Sequence, residues 1–374
     1  MAAARSTAFR GPFYVEPWRD VELARLTVRN FRNLAALDLE LPPRGVVIVG
    51  NNGQGKTNLL EAVYYLVLFR SFRGAKDREL VRFGENGYFL AGEADTRVTA
   101  GYDAPSRRKK VTVGGGLVDK LGEAVGRIAA VVFSPADRDL ITGGPAGRRR
   151  YVDVVLALTS RGYLDALSAL RAALRQRNAA LRRGRPEAAW AFDAPFARAA
   201  ATVVGARRAW IAAQQGRFTE LCTALGEREG AIITYHARPE CEHASEFEAH
   251  LAVARDRDQR RGLTTIGPHR DDVRLTLDGR DTRHFGSAGQ QRTSAIALRL
   301  LEAESIRAAH GSAPIALFDD VFAELDATRQ EHLLGLIALS LPGQALVTAP
   351  RDAEVPAALL DRPRWRMTGG TVER

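Results

Sequence analysis

The sequence predicts an α/β fold: a core of buried strands and helices, joined to an antiparallel strand region and interrupted by a long helical insertion. Three observations predict it. Short, continuous apolar runs at Gly45–Val49, Pro314–Phe318 and Gln344–Thr348 alternate with segments of helical period, the pattern of strands covered on both faces. Between Arg82 and Val118, short alternating segments separated by glycine turns read as an antiparallel sheet. From Tyr151 to about Arg261 the chain becomes Ala/Leu/Arg-rich at helical spacing, with one strand-like segment, Ala231–Tyr235.

Taken along the chain, residues 1–20 carry Gly11, Pro12 and Pro17 and read as a flexible extension. Alternating apolar residues from Val21 to Glu40 predict two half-buried strands, and Asn58–Phe69 predicts a helix after the first buried strand. Strand patterns return at Asp272–Leu277, and helices are expected over Gln290–Ala308 and Ala327–Leu339. The expected organisation is therefore an N-terminal half of the core over 21–134, a helical arm over 135–262, and a C-terminal half over 263–374.

The 374 residues suffice for a substantial core. With two cysteines, Cys222 and Cys241, and no C-x-x-C pair, a disulfide framework or zinc ribbon is not expected, and a reducing cytoplasm fits. No apolar run reaches transmembrane length and no secretory leader is apparent, so no membrane partner is expected. A net charge of +10 suits a polyanionic partner. Only five of the 54 cationic residues are lysine, however, so arginine bias from a GC-rich genome is an alternative source of the charge.

Gly50-Asn51-Asn52-Gly53-Gln54-Gly55-Lys56-Thr57 matches G-x-x-x-x-G-K-[ST] between the buried strand and the helix, the context this pattern needs. Its backbone amides would curl round phosphates at a helix N-terminus, with Asn58 following. Lys56 would reach the β- and γ-phosphates of ATP, and Thr57 would ligate Mg²⁺. The strand ending in Asp319-Asp320 supplies oxygen ligands: Asp319 for Mg²⁺, Asp320 for polarising the attacking water. Lys56, Asp319 and Asp320 are thus the expected catalytic groups. Ser287-Ala-Gly289-Gln290 opens the helix before that strand as a second anion site. The order P-loop, S-x-G-Q, acidic strand, then Ala323-Glu-Leu-Asp326, is that of ABC-type ATPases, in which S-x-G-Q completes the nucleotide site of the opposite subunit.

These residues, together with Asn30-Phe-Arg32-Asn33-Leu34, Gln176-Arg-Asn178, Gly267-Pro-His-Arg-Asp-Asp272 and Gly289-Gln-Gln-Arg-Thr293, resemble the RecF family of bacterial recombination mediators over about Val21 to Thr348. The resemblance implies a P-loop ABC-type, SMC-head-like ATPase core with an antiparallel β subdomain and an inserted helical arm domain. It implies an ATP-dependent homodimer that binds duplex DNA and single-strand/duplex junctions and hydrolyses ATP slowly with DNA stimulation. It further implies action with RecO and RecR to load RecA, in replication restart and the SOS response. Asn30, Arg32 and Asn33 are expected near the nucleotide, and Ser287 and Gly289 at the γ-phosphate held by the partner subunit. Three positions depart from the usual pattern: Phe72 replaces a histidine; Asp320 stands where most ABC-type ATPases have glutamate; and the last buried strand ends at Thr348, with no histidine.

Two surfaces are candidates for DNA. One is a helical face carrying Arg171, Arg175 and Arg182, with Arg177 and Arg183 beside it, in a segment (135–262) holding 21 arginines against 15 acidic residues. The other is the basic run Arg107-Arg108-Lys109-Lys110. Phosphate contacts, and hence little sequence preference, are expected. His236, Cys241, His243 and His250 have no tetrahedral metal spacing. A transporter motor would leave the arginine-rich insertion unexplained, and a small-molecule phosphotransferase would leave S-x-G-Q unexplained.

Overall fold

The alternating segment after residue 21 folds as two antiparallel strands, β1 (Arg25–Phe31) and β2 (Leu34–Glu40), with Leu26, Val28, Phe31 and Leu34 fully buried. The computed structural model describes residues 22–227, 230–322 and 327–374; the expected N-terminal extension and the motif at 323–326 lie outside the described residues. The chain continues through β3 (Gly45–Val49), α1 (Lys56–Leu68), α2 (Asp77–Leu80), β4 (Gly87–Glu93), β5 (Arg97–Asp103), β6 (Arg108–Val113), β7 (Gly116–Leu117) and β8 (Ala130–Phe133). Next come α3 (Arg138–Thr142), α4 (Pro145–Thr159), α5 (Arg161–Arg182), α6 (Pro186–Trp190), α7 (Asp193–Ala224), β9 (Ile232–His236), α8 (Ala244–Arg261), β10 (Asp272–Leu277), β11 (Arg280–Asp281) and α9 (Thr282–Phe285). The last elements are α10 (Ala288–His310), β12 (Ile315–Asp319), α11 (Ala327–Ser340), β13 (Ala345–Ala349), β14 (Arg364–Thr368) and β15 (Thr371–Glu373).

The described residues within 17–139, 220–228 and 288–374 form one compact unit, and those within 140–219 and 229–287 a second. In the first, an antiparallel sheet of order β2-β1-β4-β5-β6-β7 accompanies a mainly parallel sheet of order β15-β14-β3-β13-β12-β8. Helix α1 packs against strands of both sheets. It therefore buries nearly its whole circumference, from Leu59 to Leu68, and apart from Glu61 the sequence there is apolar all round instead of striped. Each such aliphatic side chain contributes about 1.5–3 kcal/mol on burial.

The second unit holds helices and the small antiparallel sheet β11-β10-β9. Strand β10, expected with the C-terminal half of the core, instead pairs with β9, Val273 opposite Tyr235 and Leu275 opposite Ile233. The arm therefore extends beyond the expected boundary at 262, because the partner that satisfies β10's backbone lies at Ile232–His236. Two features that carried the family resemblance serve this unit internally. Arg177, fully buried, donates to Asp193 at 2.8 Å, Asp258 at 2.6 Å and the Thr264 hydroxyl at 2.8 Å, while Asn178 accepts from the Thr264 hydroxyl and N–H. Asp272 accepts a two-pronged bond from Arg148 at 3.0 and 3.1 Å, and Asp271 accepts from Tyr235 and from the Arg238 N–H.

Candidate nucleotide site

The site is built where three strands of the parallel sheet end side by side. Strand β13 lies between β3 and β12, with Thr348 in register with both Ile48 and Asp319. The loop after β3 and the carboxylates after β12 are brought to one edge of the sheet, as expected for ligands at strand C-termini in α/β folds. Asn51, Asn52 and Gly53 are exposed, Gly50 and Gln54 half-buried, and Gly55 and Lys56 buried where α1 begins. Gly55 has φ +114, and a Cβ there would sit 2.8 Å from the Asn33 amide, so only glycine fits.

Lys56, 4% exposed, donates to the carbonyls of Gly50 at 2.7 Å and Asn51 at 3.4 Å, and its ammonium lies 3.7 Å from Asp320 Oδ2. Thr57 donates to Asp319 Oδ1 at 2.7 Å across 262 positions of sequence. Burial pushes the Asp319 carboxyl above its usual range, the Asp320 charge adds to that push, and the Thr57 hydroxyl opposes it. Asp320 follows the strand at φ +51, a left-handed conformation that aspartate tolerates better than most residues.

Further polar side chains hold the loop from behind. Asn33 donates to the Gln54 carbonyl at 3.1 Å and accepts from Asn58 at 2.8 Å, with Arg73 donating to Asn58 Oδ1 at 3.3 Å. Arg32, expected near the nucleotide, has its guanidinium bound to protein: it grips the fully buried Glu61 of α1 at 2.9 and 3.1 Å and donates to the Glu79 carbonyl. Asn30, also expected there, donates to Glu85 at 3.0 Å. Glu61 also accepts from Ser71, while Phe72 packs edge-on to Tyr64 at 5.6 Å.

Sequence reasoning missed the C-terminal hairpin β14–β15. Strand β14 pairs with β3, and its turn glycines clasp the phosphate loop: Gly369 N–H donates to Gln54 Oε1 at 2.6 Å and Gly370 N–H to the Gln54 carbonyl at 2.9 Å. The Gln54 side chain is thus turned to the hairpin, while the role expected of this loop is that of its backbone amides. The signal was the Gly369-Gly370 pair between two short alternating segments.

Ser287 is exposed immediately before α10, and Gln290 is half-buried in its first turn. Gly289 lines a small pocket with Leu225, Arg292, Thr293, Ile296 and Arg329. Of the basic residues proposed for DNA, Arg107, Arg108, Lys110, Arg175 and Arg182 are exposed. Lys109 points inward, bound to the Phe69 carbonyl at 2.7 Å and Asp77 at 3.0 Å, because it caps the carbonyl end of α1. Arg171 pairs with Asp153 at 3.1 Å, and Arg177 belongs to the core of the arm.

Known proteins resemble the chain in sequence and in fold. A sequence model of the AAA domain matches residues 25–109. The Smc head domain of Pyrococcus furiosus superposes with a TM-score of 0.53 at 15% identity, over 94% of this chain and 95% of that one, a likeness of fold. A solved structure of the recombination mediator protein RecF with ATP, in the RecFOR pathway, gives a TM-score of 0.84 at 29% identity, covering 94% and 98% of the two chains. The DNA replication and repair protein RecF of Anaeromyxobacter sp. (strain Fw109-5) is 39% identical over 94% of this chain and 99% of its own, and that of Salinibacter ruber 34% over 94% and 91%. The fold is that of a P-loop, ABC-type ATPase core, like SMC heads in architecture, carrying an antiparallel β subdomain and an inserted helical arm. Within that class, the chain belongs to the RecF family.

Proposed function

We propose that the chain is an ATP-gated DNA clamp of recombinational repair, in which nucleotide glues two copies together. The observation that carries this reading is the meeting of Thr57 with Asp319 at 2.7 Å and of Lys56 with Asp320 at 3.7 Å, drawn from opposite ends of the sequence. Lys56 would neutralise β- and γ-phosphate charge. Thr57 and Asp319 offer two hard oxygen donors on one spot, the chemistry Mg²⁺ selects. Among the described residues no cluster of three or more His, Cys, Asp or Glu side chains forms a metal cage, so phosphate oxygens and water would complete the shell. Asp320 would polarise the attacking water.

Ser287, Gly289 and Gln290, at the start of α10, would meet the γ-phosphate held by a second copy, so the dimer persists only while ATP is intact. By linkage, whatever favours the dimer, DNA included, tightens ATP binding equally. Slow, DNA-stimulated hydrolysis would then release duplex or gapped DNA. The relatives' names support a role in DNA replication and repair, and the RecFOR setting of the solved structures supports a place alongside RecO and RecR. On this reading the protein acts in the cytoplasm, helps load RecA, and serves replication restart and the SOS response. Among the described residues no helix is long and apolar enough to cross a membrane.

Two substitutions test the division of labour. Lys56→Met is expected to abolish ATP binding in a fluorescent-nucleotide titration, and Ser287→Arg to bind ATP normally yet stay monomeric by light scattering. A Ser287→Arg protein that dimerises with ATP like the wild type would exclude the shared site.

A further inference from the structure

Thr348 occupies the centre of the site without any role in the scheme above. It is 2% exposed, at the end of the strand that separates the phosphate-loop strand from the carboxylate strand. Its hydroxyl accepts the backbone N–H of Asp320 at 3.0 Å. A hydroxyl has one proton to give. Three acceptors surround it: Asp320 Oδ1 at 3.0 Å, Asp319 Oδ1 at 3.3 Å and the Phe318 carbonyl at 3.4 Å. Asp319 Oδ1 already receives the Thr57 hydroxyl at 2.7 Å, so Asp320 Oδ1 is the nearest acceptor not already taken by Thr57.

The consequence is a two-point grip on one residue. Asp320 stands at φ +51, outside the strand conformation that Asp319 completes. Thr348 holds both its N–H and one carboxylate oxygen, leaving the other oxygen, Oδ2, on the side of Lys56 at 3.7 Å. Aspartate is one methylene shorter than glutamate, so its reach toward a water is set by backbone placement more than by side-chain rotamers. We infer that Thr348 is a positioning residue that fixes Asp320 for water activation, acting on the chemical step and not on nucleotide affinity. This rests on the ATPase reading proposed above.

The test compares Thr348→Val, which keeps the branched shape and removes the hydroxyl, with Thr348→Ser, which keeps the hydroxyl. Phosphate release at saturating MgATP with duplex DNA gives kcat, and a fluorescent-nucleotide titration gives Kd. T348V is expected to lose kcat by about 10- to 100-fold, the range typical of removing a supporting hydrogen bond at a metal site, with Kd within about 2-fold of wild type. T348S is expected to retain the wild-type kcat. In an Asp320→Asn background, where turnover is already low, T348V should add little further loss, since residues acting as one unit are not additive. T348V with wild-type kcat, T348S as slow as T348V, or loss of Kd in step with kcat would each overturn the inference. If T348V does not fold, Thr348→Ala takes its place against T348S with the same outcomes. Wild-type protein that binds MgATP but releases no phosphate would sink the ATPase reading, and the positioning role with it; a hydrolysing wild type matched by T348V sinks the positioning role alone.

Discussion

At Asp319, stability and the proposed Mg²⁺ site meet in a single buried carboxylate. Burial raises its pKa in the fold, so the charged form is disfavoured there relative to the unfolded chain. The stability this group contributes is therefore present at low pH and lost as pH rises through its raised range. Asp319→Asn is expected to raise the melting temperature of the nucleotide-free protein at neutral pH, with the gain shrinking as pH falls to where Asp319 is itself protonated. Differential scanning fluorimetry across pH checks this, and a uniform gain at every pH would contradict it. The same substitution should remove Mg²⁺-dependent tightening of ATP binding, because a hard cation needs the ionised oxygen. At this scale the phosphate loop and both carboxylates were legible, since a strand followed by G-x-x-x-x-G-K-T and a buried strand ending in Asp-Asp have few other uses. The destinations of Arg32, Gln54 and Lys109 were not legible. Each reaches a partner, Glu61, Gly369 or Asp77, that no local pattern connects to it.

Two elements carry constraints that periodicity alone does not reveal. In the C-terminal hairpin, Gly369 and Gly370 both have positive φ, +56 and +85. A Cβ at Gly370 would meet the Asn33 carbonyl at 2.5 Å, whereas nothing lies within 4 Å of one at Gly369. Gly369→Ala should therefore cost about 1–2 kcal/mol of backbone strain. Gly370→Ala should cost more, and it should also weaken ATP binding through Asn33 and Gln54; equal effects on ATP affinity would argue against the clasp. In α5, Arg177 is paired with two buried carboxylates, and Arg177→Met would strand Asp193 and Asp258. A loss of about 3–5 kcal/mol in urea unfolding is expected. The long helices and the alternating strands were readable from the sequence because their periods are clean over many residues. Strands β8 and β14 were not: β8 is only four residues long, and β14 alternates Arg364, Arg366 and Thr368 with the buried Trp365 and Met367 in place of a continuous apolar run. They are recognised as strands only by pairing with β12 and β3.

For the whole molecule, the proposed clamp turns on where DNA would lie and what nucleotide would do. Reversing charge at Arg175 and Arg182, both exposed on α5, should flatten the salt dependence of duplex binding by about 0.9 in log–log slope for each phosphate no longer neutralised. The same change at Arg107, Arg108 and Lys110 tests the rival surface, and whichever set leaves the slope untouched does not touch DNA. The class of the molecule was readable from four motifs in order, because an ABC-type site needs each of them. The extent of the arm was not, because β10 finds its partner on the far side of α8, from Asp272 opposite His236 to Thr276 opposite Ile232. The central claim, that triphosphate joins two copies, is tested most directly by sedimentation velocity of the Asp320→Asn protein with saturating MgATP, with MgADP and without nucleotide. A stable dimer with MgATP and monomers in the other two conditions is the predicted result; a monomer in all three would contradict the account.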